Sequence, residues 1–303
     1  MEQITKDRIV ALIESYVLRL GSAEKVATKC GVSPSIISQM RKGGYSDYPE
    51  TWARIGAELG LNDSSWQLCD TYNQRMMHSV LDAAKSKSMF MAIAHPAGGG
   101  KSASIKSYES LYALTGVFVI RAVEWSAKMF LQSLCKELGI AEPHGYVSVH
   151  GYMEKVVSFF KERVNYKPLL VIDEADKLRP SALRTLITLY NELEDQIGVV
   201  IAGTDNLEVE ITRGVRYNRK GFDEIHSRFG RKFIALVGAT LADVRAICAA
   251  NGVTDAKKQK AIFESCKPIQ ATLDNQFVMV VADLRPVKRA VMRELLLNPV
   301  AVA

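Results

Sequence analysis

The stretch MFMAIAHPAGGGKSASIKSY, residues 89–108, decides the architecture. Met89–Ala94 is a short apolar run of the length and composition of a buried strand. HPAGGGKS follows at 95–102, and the residues after it read as a helix. A strand feeding a glycine-rich turn that ends in Gly-Lys-Ser at the mouth of a helix is the P-loop arrangement. Gly98, Gly99 and Gly100 let backbone N–H groups face phosphate oxygens without side-chain obstruction. Lys101 supplies charge for the β- and γ-phosphates, Ser102 a hydroxyl for Mg²⁺, and the helix its positive N-terminal end. Pro96, Ala97, Gly98, Gly99, Gly100, Lys101, Ser102 and Ala103 are therefore expected to hold ATP. His95 stands where the pattern usually begins with glycine, which bears on loop geometry and leaves the rate of nucleotide exchange open.

Downstream, PLLVIDEADKL (168–178) reads as a buried strand over Leu169–Ile172 that ends in two carboxylates. Ligands of open α/β sheets gather at such strand ends. Asp173 is expected to hold Mg²⁺ through water and Glu174 to polarise the attacking water. Adjacent carboxylates are costly without a cation, which Mg·ATP provides. VVIAGTDN (199–206) is a further strand, and Thr204 at its end can sense the γ-phosphate between the two elements. In HSRFGRKF (226–233), Arg228 is the first candidate for a finger reaching a neighbouring subunit's nucleotide, with Arg231 as the alternative. In ADLRPVKRA (282–290), Arg285 is placed to fold back onto the nucleotide, with Arg289 as second choice.

Five apolar runs, Met89–Ala94, Val117–Arg121, Leu169–Ile172, Val199–Ala202 and Phe233–Val237, alternate with helical segments. That alternation predicts a parallel sheet covered on both faces. Beyond Gly238 the sequence reads as three helices near 240–250, 255–266 and 286–297, without strands. Residues 60–88 read as a connector and one amphipathic helix. Before them, short helices are expected over Ala23–Cys30, Pro34–Arg41 and about Pro49–Leu59, after a first helix carrying Ile9, Leu12, Ile13, Tyr16 and Val17.

The segment AEKVATKCGVSPSIISQMRKGGY (23–45) has a helix-turn-helix pattern. Small Ala27 suits a close helix crossing, and Gly31 suits a turn requiring positive φ. Val26, Cys30, Val32, Ile37 and Met40 supply the apolar contacts. Ser33 is a good N-cap with Pro34 in the first turn. The exposed face of the second helix, with Ser33, Ser35, Ser38 and Gln39, could reach base edges or phosphates, and Arg41 and Lys42 suit phosphate. A bundle that binds protein instead is the alternative. The domain expectation is 1–62 helix-turn-helix, 63–237 P-loop α/β core and 238–303 helical lid.

Net charge is +6, a mild basic excess that favours an anionic partner. The five cysteines are odd in number and show no CxxC pair, which fits free thiols in a reducing compartment. No run of about 18 apolar residues exists to span a bilayer, and MEQITKDRIV has no signal-peptide pattern. The expectation is a cytoplasmic protein with no membrane partner.

Together the P-loop, Asp-Glu strand, polar strand end, finger and lid arginine, in that order, resemble the AAA+ class of P-loop ATPases. With the N-terminal helix-turn-helix, the chain resembles the phage Mu transposition protein B family of target-DNA activators. That resemblance implies an ATPase that assembles on double-stranded DNA as a helical homo-oligomer and stimulates a transposase. It also implies a DNA-contacting surface in the core, for which ITRGVRYNRKGF (211–222) is the counterpart, a flexible basic loop with Arg213, Arg216, Arg219 and Lys220. Lys106 and Lys128 are weaker candidates. The competing readings are a replication-type helicase or initiator loader, and a sequence-specific repressor with an ATPase core.

Overall fold

The computed structural model describes residues 3–45, 48–61, 66–112, 116–141, 145–273 and 275–297. Four helices come first: α1 (Gln3–Leu20), α2 (Ala23–Cys30), α3 (Pro34–Arg41) and α4 (Pro49–Glu58). Gly31 ends α2 in the left-handed region (φ 63°), and its N–H returns to the last carbonyls of the helix. Ser33 takes the N-cap position of α3, but its hydroxyl makes no capping bond and pairs with Ser35. The expected boundary between residues 62 and 63 lies outside the described residues.

The core then runs α5 (Tyr72–Lys87), β1 (Phe90–Ala94), α6 (Lys101–Leu111), β2 (Val117–Arg121), α7 (Ala127–Glu137), α8 (Val149–Lys161), β3 (Leu169–Asp173), α9 (Pro180–Leu193), β4 (Gly198–Gly203), α10 (Asp205–Arg216), α11 (Phe222–Arg228) and β5 (Phe233–Ile234). The five strands form one parallel sheet in the order β2-β3-β4-β1-β5. Alternate residues serve opposite faces, as the pleat requires. Ile93, Val117, Leu169, Val171 and Val200 pack under α5 and α6. Phe90, Phe118, Leu170, Ile172, Val199 and Ile201 face the other layer, with α7 to α11. Burial on both faces explains the unbroken apolar runs of β3 and β4.

The first four helices share that second layer's core. Ile9, Ile13, Leu20, Val26, Ile37, Met40 and Ile55 are fully or almost fully buried in the same cluster as Phe118, Leu134 and Phe160. Polar contacts fix the docking. Arg19 donates to Glu109 Oε1 at 2.7 Å and to the Val117 carbonyl at 3.2 Å, and lies 3.9 Å over the Tyr16 ring. Lys29 pairs with Glu137, whose carboxyl burial pushes up while Lys29 and Arg19 pull it down. A Cβ at Gly139 would come 2.6 Å from the Lys25 carbonyl, so α2 meets the end of α7 at backbone distance. Buried ion pairs of this kind fix an orientation more than they add stability.

The C-terminal lobe corrects the strand-free expectation. It runs β6 (Ala239–Thr240), α12 (Leu241–Ala250), α13 (Ala256–Ser265), β7 (Ile269–Leu273), β8 (Gln276–Val281) and α14 (Leu284–Leu297). Its strands form an antiparallel sheet in the order β6-β8-β7. The three expected helices are present, and the hairpin lies between the second and third. QFVMVV alternates Val278 and Val280 inward with Phe277 and Met279 outward, a period-two signal hidden by its exposed apolar face. The strand expected over Phe233–Val237 is also shorter: only Phe233 and Ile234 pair with β1. No described helix is long and apolar enough to cross a membrane.

Candidate active site

Strand order places the chemistry. β4 lies between β1 and β3, so Thr204, after β4, falls between the loop after β1 and the carboxylates ending β3. Ala97, Gly98, Gly100, Lys101, Ser102, Ala103, Asp173, Glu174, Asp176, Lys177, Thr204 and Arg285 line one cleft. The expected loop, strand-end and lobe residues are thus brought together, while Pro96 and Gly99 belong to the same loop outside the cleft's lining.

Gly98 and Gly100 both have φ 90°, a conformation that suits glycine. A Cβ at Gly98 would lie 1.9 Å from Asp283 Oδ1, and one at Gly99 2.3 Å from the His95 ring. His95 therefore packs against Gly99 and is not among the residues lining the cleft. Its ring is buried, Nε2 has no partner, and burial, followed by the Lys101 charge, lowers its pKa to about 4. The imidazole is neutral at physiological pH. Lys101 is 9 % exposed and curls back onto the carbonyls of His95 and Pro96, the latter at 3.0 Å. Burial lowers its pKa, while Asp173, Asp176 and Asp205 oppose that shift. An ammonium that among the described residues is held by loop carbonyls alone, next to a glycine-rich turn, fits a phosphate as its stronger partner.

Burial raises the pKa of Asp173, against the Ser102 hydroxyl and the Glu174 N–H at 2.9 Å. A hydroxyl and a carboxylate side by side are hard oxygen donors suited to Mg²⁺ that keeps its other ligands from phosphate and water. Among the described residues no cluster of three or more His, Cys, Asp or Glu could cage a metal alone.

Three neighbours were missed in the sequence. Arg121, at the end of β2 and in register with Asp173, binds Glu174 Oε1 at 2.7 Å. Lys177 binds Glu174 Oε2 at 2.6 Å. The Arg121 hydrogen bond is the main cause lowering the Glu174 pKa to about 2. Asp176 accepts the Thr204 N–H at 3.1 Å and hydroxyl at 2.8 Å, so Thr204 is oriented by a second carboxylate. Register of β2 against β3 was the only sequence signal for Arg121, and it becomes readable once the strands are paired.

A second cleft shares Gly98, Gly100, Ala103 and Arg285 with the first and continues to Trp66, Leu68, Cys69, Ile247, Leu284 and Lys288. Its apolar walls suit a flat base, with Lys106 at its margin. Arg289 is exposed on α14, its Nε reaching the Arg285 carbonyl.

Arg228 is outside its own chain's cleft. Its guanidinium binds Asn191 Oδ1 at 2.8 Å and lies over Tyr190. Arg231 follows it with φ 54°. On α3, Ser33, Ser35 and Gln39 are exposed, Ser38 is half-buried, and Lys42 is exposed past the helix end. Arg41 is not free: it forms a two-pronged pair with Glu14 of α1 at 2.7 and 3.0 Å. The segment 211–222 is not a flexible loop. Arg213 and Arg216 lie on the last turn of α10, and Gly214 is buried where a Cβ would strike the Phe222 ring at 2.2 Å. That glycine serves close α10–α11 packing. Arg213, Arg216, Arg219 and Lys220 are all exposed, with Arg219 paired to Glu210 at 2.8 Å. Lys128 sits over Tyr146.

Residues 84–209 match the family model of an AAA domain, a span running from the end of α5 through the P-loop and β3 to the start of α10. The core is accordingly a P-loop AAA+ α/β fold. No curated protein matches the sequence. Among solved structures, the chain is similar to Cdc6p of Pyrobaculum aerophilum (18 % identity, 62 % of this chain and 51 % of that one, TM-score 0.48). It is also similar to the ORC2 protein of Aeropyrum pernix (13 %, 62 % and 55 %, TM-score 0.44). The RuvB Holliday junction branch migration motor of Thermotoga maritima is a third (15 %, 74 % and 62 %, TM-score 0.41). The chain spans about half the length of the first two.

Proposed function

We propose that this chain is a Mg·ATP-hydrolysing AAA+ ATPase that binds double-stranded DNA as an ATP-dependent homo-oligomer and regulates transposition by selecting target DNA and activating a transposase. The observation that carries the reading is the single cleft in which the P-loop, Asp173, Glu174, Thr204 and the lobe's Arg285 converge, on a core fused to a helical module with an exposed polar helix.

Lys101 leaves the His95 and Pro96 carbonyls for the phosphates. Ser102 and, through water, Asp173 would hold Mg²⁺, which would supply positive charge to the phosphate oxygens. Thr204, whose N–H and hydroxyl both donate to Asp176, would reach the terminal phosphate by turning its hydroxyl proton away from that carboxylate. Arg285 arrives from the lobe, and Arg228 acts on a neighbouring copy's nucleotide, making turnover depend on assembly. Glu174 orients and deprotonates the water. Arg121 and Lys177 engage the two Glu174 oxygens, so the carboxylate must give up a partner before it can take the proton of the water. Arg121 therefore acts as a brake. Arg121→Ala is expected to raise DNA-free turnover about three- to tenfold, measured as phosphate release. Unchanged or lower turnover would remove the brake.

The helix-turn-helix face of α3 and the exposed Arg213, Arg216, Arg219 and Lys220 are the DNA contacts. Each copy offers few phosphate contacts, so affinity is expected to come from adding them along the duplex. Arg41 contributes only by exchanging Glu14 for phosphate. The test is anisotropy of a labelled duplex with Mg and a non-hydrolysable ATP analogue, with electron microscopy of the same sample. The expected result is affinity at least tenfold above that without nucleotide, with filaments. Equal affinity in both conditions ends the reading. Closed rings that capture a helicase would favour a loader, and a defined footprint independent of ATP a repressor.

A further inference from the structure

Asn73, in the first turn of α5, is 2 % exposed and joins three segments far apart in sequence. Its Nδ2 donates to the Gly99 carbonyl at 3.1 Å. Its Oδ1 accepts the N–H groups of Val237 at 3.1 Å and Gly238 at 3.2 Å. The amide orientation is unambiguous, since a carbonyl can only accept and two backbone N–H groups can only donate.

Each end of this side chain touches a conformationally special backbone. In a trans peptide the C=O and N–H point oppositely. Holding the Gly99 carbonyl toward Asn73 therefore turns the Gly100 N–H away from it, and Gly100 is a residue of the cleft wall. At the other end, Val237–Gly238 is the connection from the sheet to the C-terminal lobe. Gly238 has φ 118°, and a Cβ there would lie 2.9 Å from Val280 of β8. Neighbouring bonds brace the same junction: the Tyr72 N–H reaches Asp243 Oδ1 at 2.9 Å, and Asp243 also caps α12 through Thr240. The lobe in turn meets the loop through the Leu284 N–H and the Gly98 carbonyl at 3.0 Å, one residue before Arg285.

We propose that Asn73 is a positioning residue that locks the Gly99–Gly100 peptide for phosphate binding and ties that peptide to the hinge of the lobe carrying Arg285. The proposal rests on the nucleotide-site reading. Asn73 touches no substrate; it acts through Gly100 and through the hinge. The nucleotide and the lobe arginine are thereby coupled by one buried amide.

Asn73→Asp separates the two ends. A carboxylate still accepts from Val237 and Gly238, but it repels the Gly99 carbonyl. Asn73→Ala removes both ends. Calorimetry with Mg·ATP and Mg·ADP is run on wild type, both variants, Arg285→Ala and the Asn73→Ala/Arg285→Ala pair, with thermal unfolding as the check on folding. The Asp variant is expected to unfold cooperatively yet bind Mg·ATP at least tenfold more weakly. Arg285→Ala is expected to reduce the preference for ATP over ADP several-fold in the wild-type background, and to have no such effect when Asn73 is alanine. Such non-additivity marks coupled residues. A merely structural residue would lower the melting temperature and leave the affinity of the folded protein unchanged. Asp-variant affinity within twofold of wild type overturns the proposal, as does an Arg285 effect of the same size in both backgrounds. If the Asp variant does not fold, Asn73→Ala is held to the same twofold criterion. Absence of nucleotide binding by wild type itself would instead overturn the site reading on which this rests.

Discussion

Lys101→Ala is expected to weaken Mg·ATP binding at least 100-fold, about 2.7 kcal/mol at room temperature. The size follows from what stays behind. Asp173, Glu174 and Asp176 line the same cleft, and Asp205 acts on Lys101 from beside it. Lys101 is the buried cation set against them, and it reaches only the carbonyls of its own loop. Removing it leaves a triphosphate facing carboxylates, with Arg285 and Lys177 as the cleft's remaining cations. A charge-assisted phosphate contact in a partly desolvated site is among the stronger polar interactions. The variant should keep its fold, since no side chain depends on Lys101 for a hydrogen bond among the bonds described for it. Titration calorimetry on the folded variant checks it; affinity within threefold of wild type would contradict the site.

Glu174→Gln is expected to retain ATP binding within a few-fold and to lose hydrolysis by about 10²- to 10³-fold, or roughly 3–4 kcal/mol of barrier. The amide has the same shape but cannot accept the proton. The ion pairs lost with Arg121 and Lys177 are half-exposed or better on the basic side and contribute little to stability. A complex with DNA and ATP should therefore persist where the wild-type complex decays. Single-turnover phosphate release measures the first effect, and dissociation of labelled duplex the second. Normal hydrolysis by this variant would reassign the base.

The two expectations read differently against the sequence. Lys101 and Glu174 sit in contiguous motifs whose backbone geometry is local: a strand end, a turn and a helix start. Such features survive reading in one dimension, and the strands over 90–94, 117–121, 169–173 and 198–203 fall where the apolar runs lie. What escaped depends on pairing at long range. Arg121 meets Glu174 only through the β2–β3 register, and Asn73 meets Gly238 across 165 positions. The β7–β8 hairpin escaped because Phe277 and Met279 face outward, which blurs the alternation that marks a half-buried strand. The basic segment at 211–222 was misread because a buried glycine inside a helix and a glycine in a loop look alike in sequence. The Arg41–Glu14 pair, joining α3 to α1 across 27 positions, is likewise visible only in three dimensions.

The shared core of the first four helices and the sheet has a geometric consequence. With Ile9, Ile37 and Leu134 in one cluster and Gly139 against the Lys25 backbone, the described residues pack α3 into the same body as the sheet. In a screw-like stack of copies, a rotation between neighbours would carry α3 along with the sheet. The pitch of such a stack would therefore dictate how α3 is phased around the duplex, much as tooth spacing dictates the meshing of a worm gear.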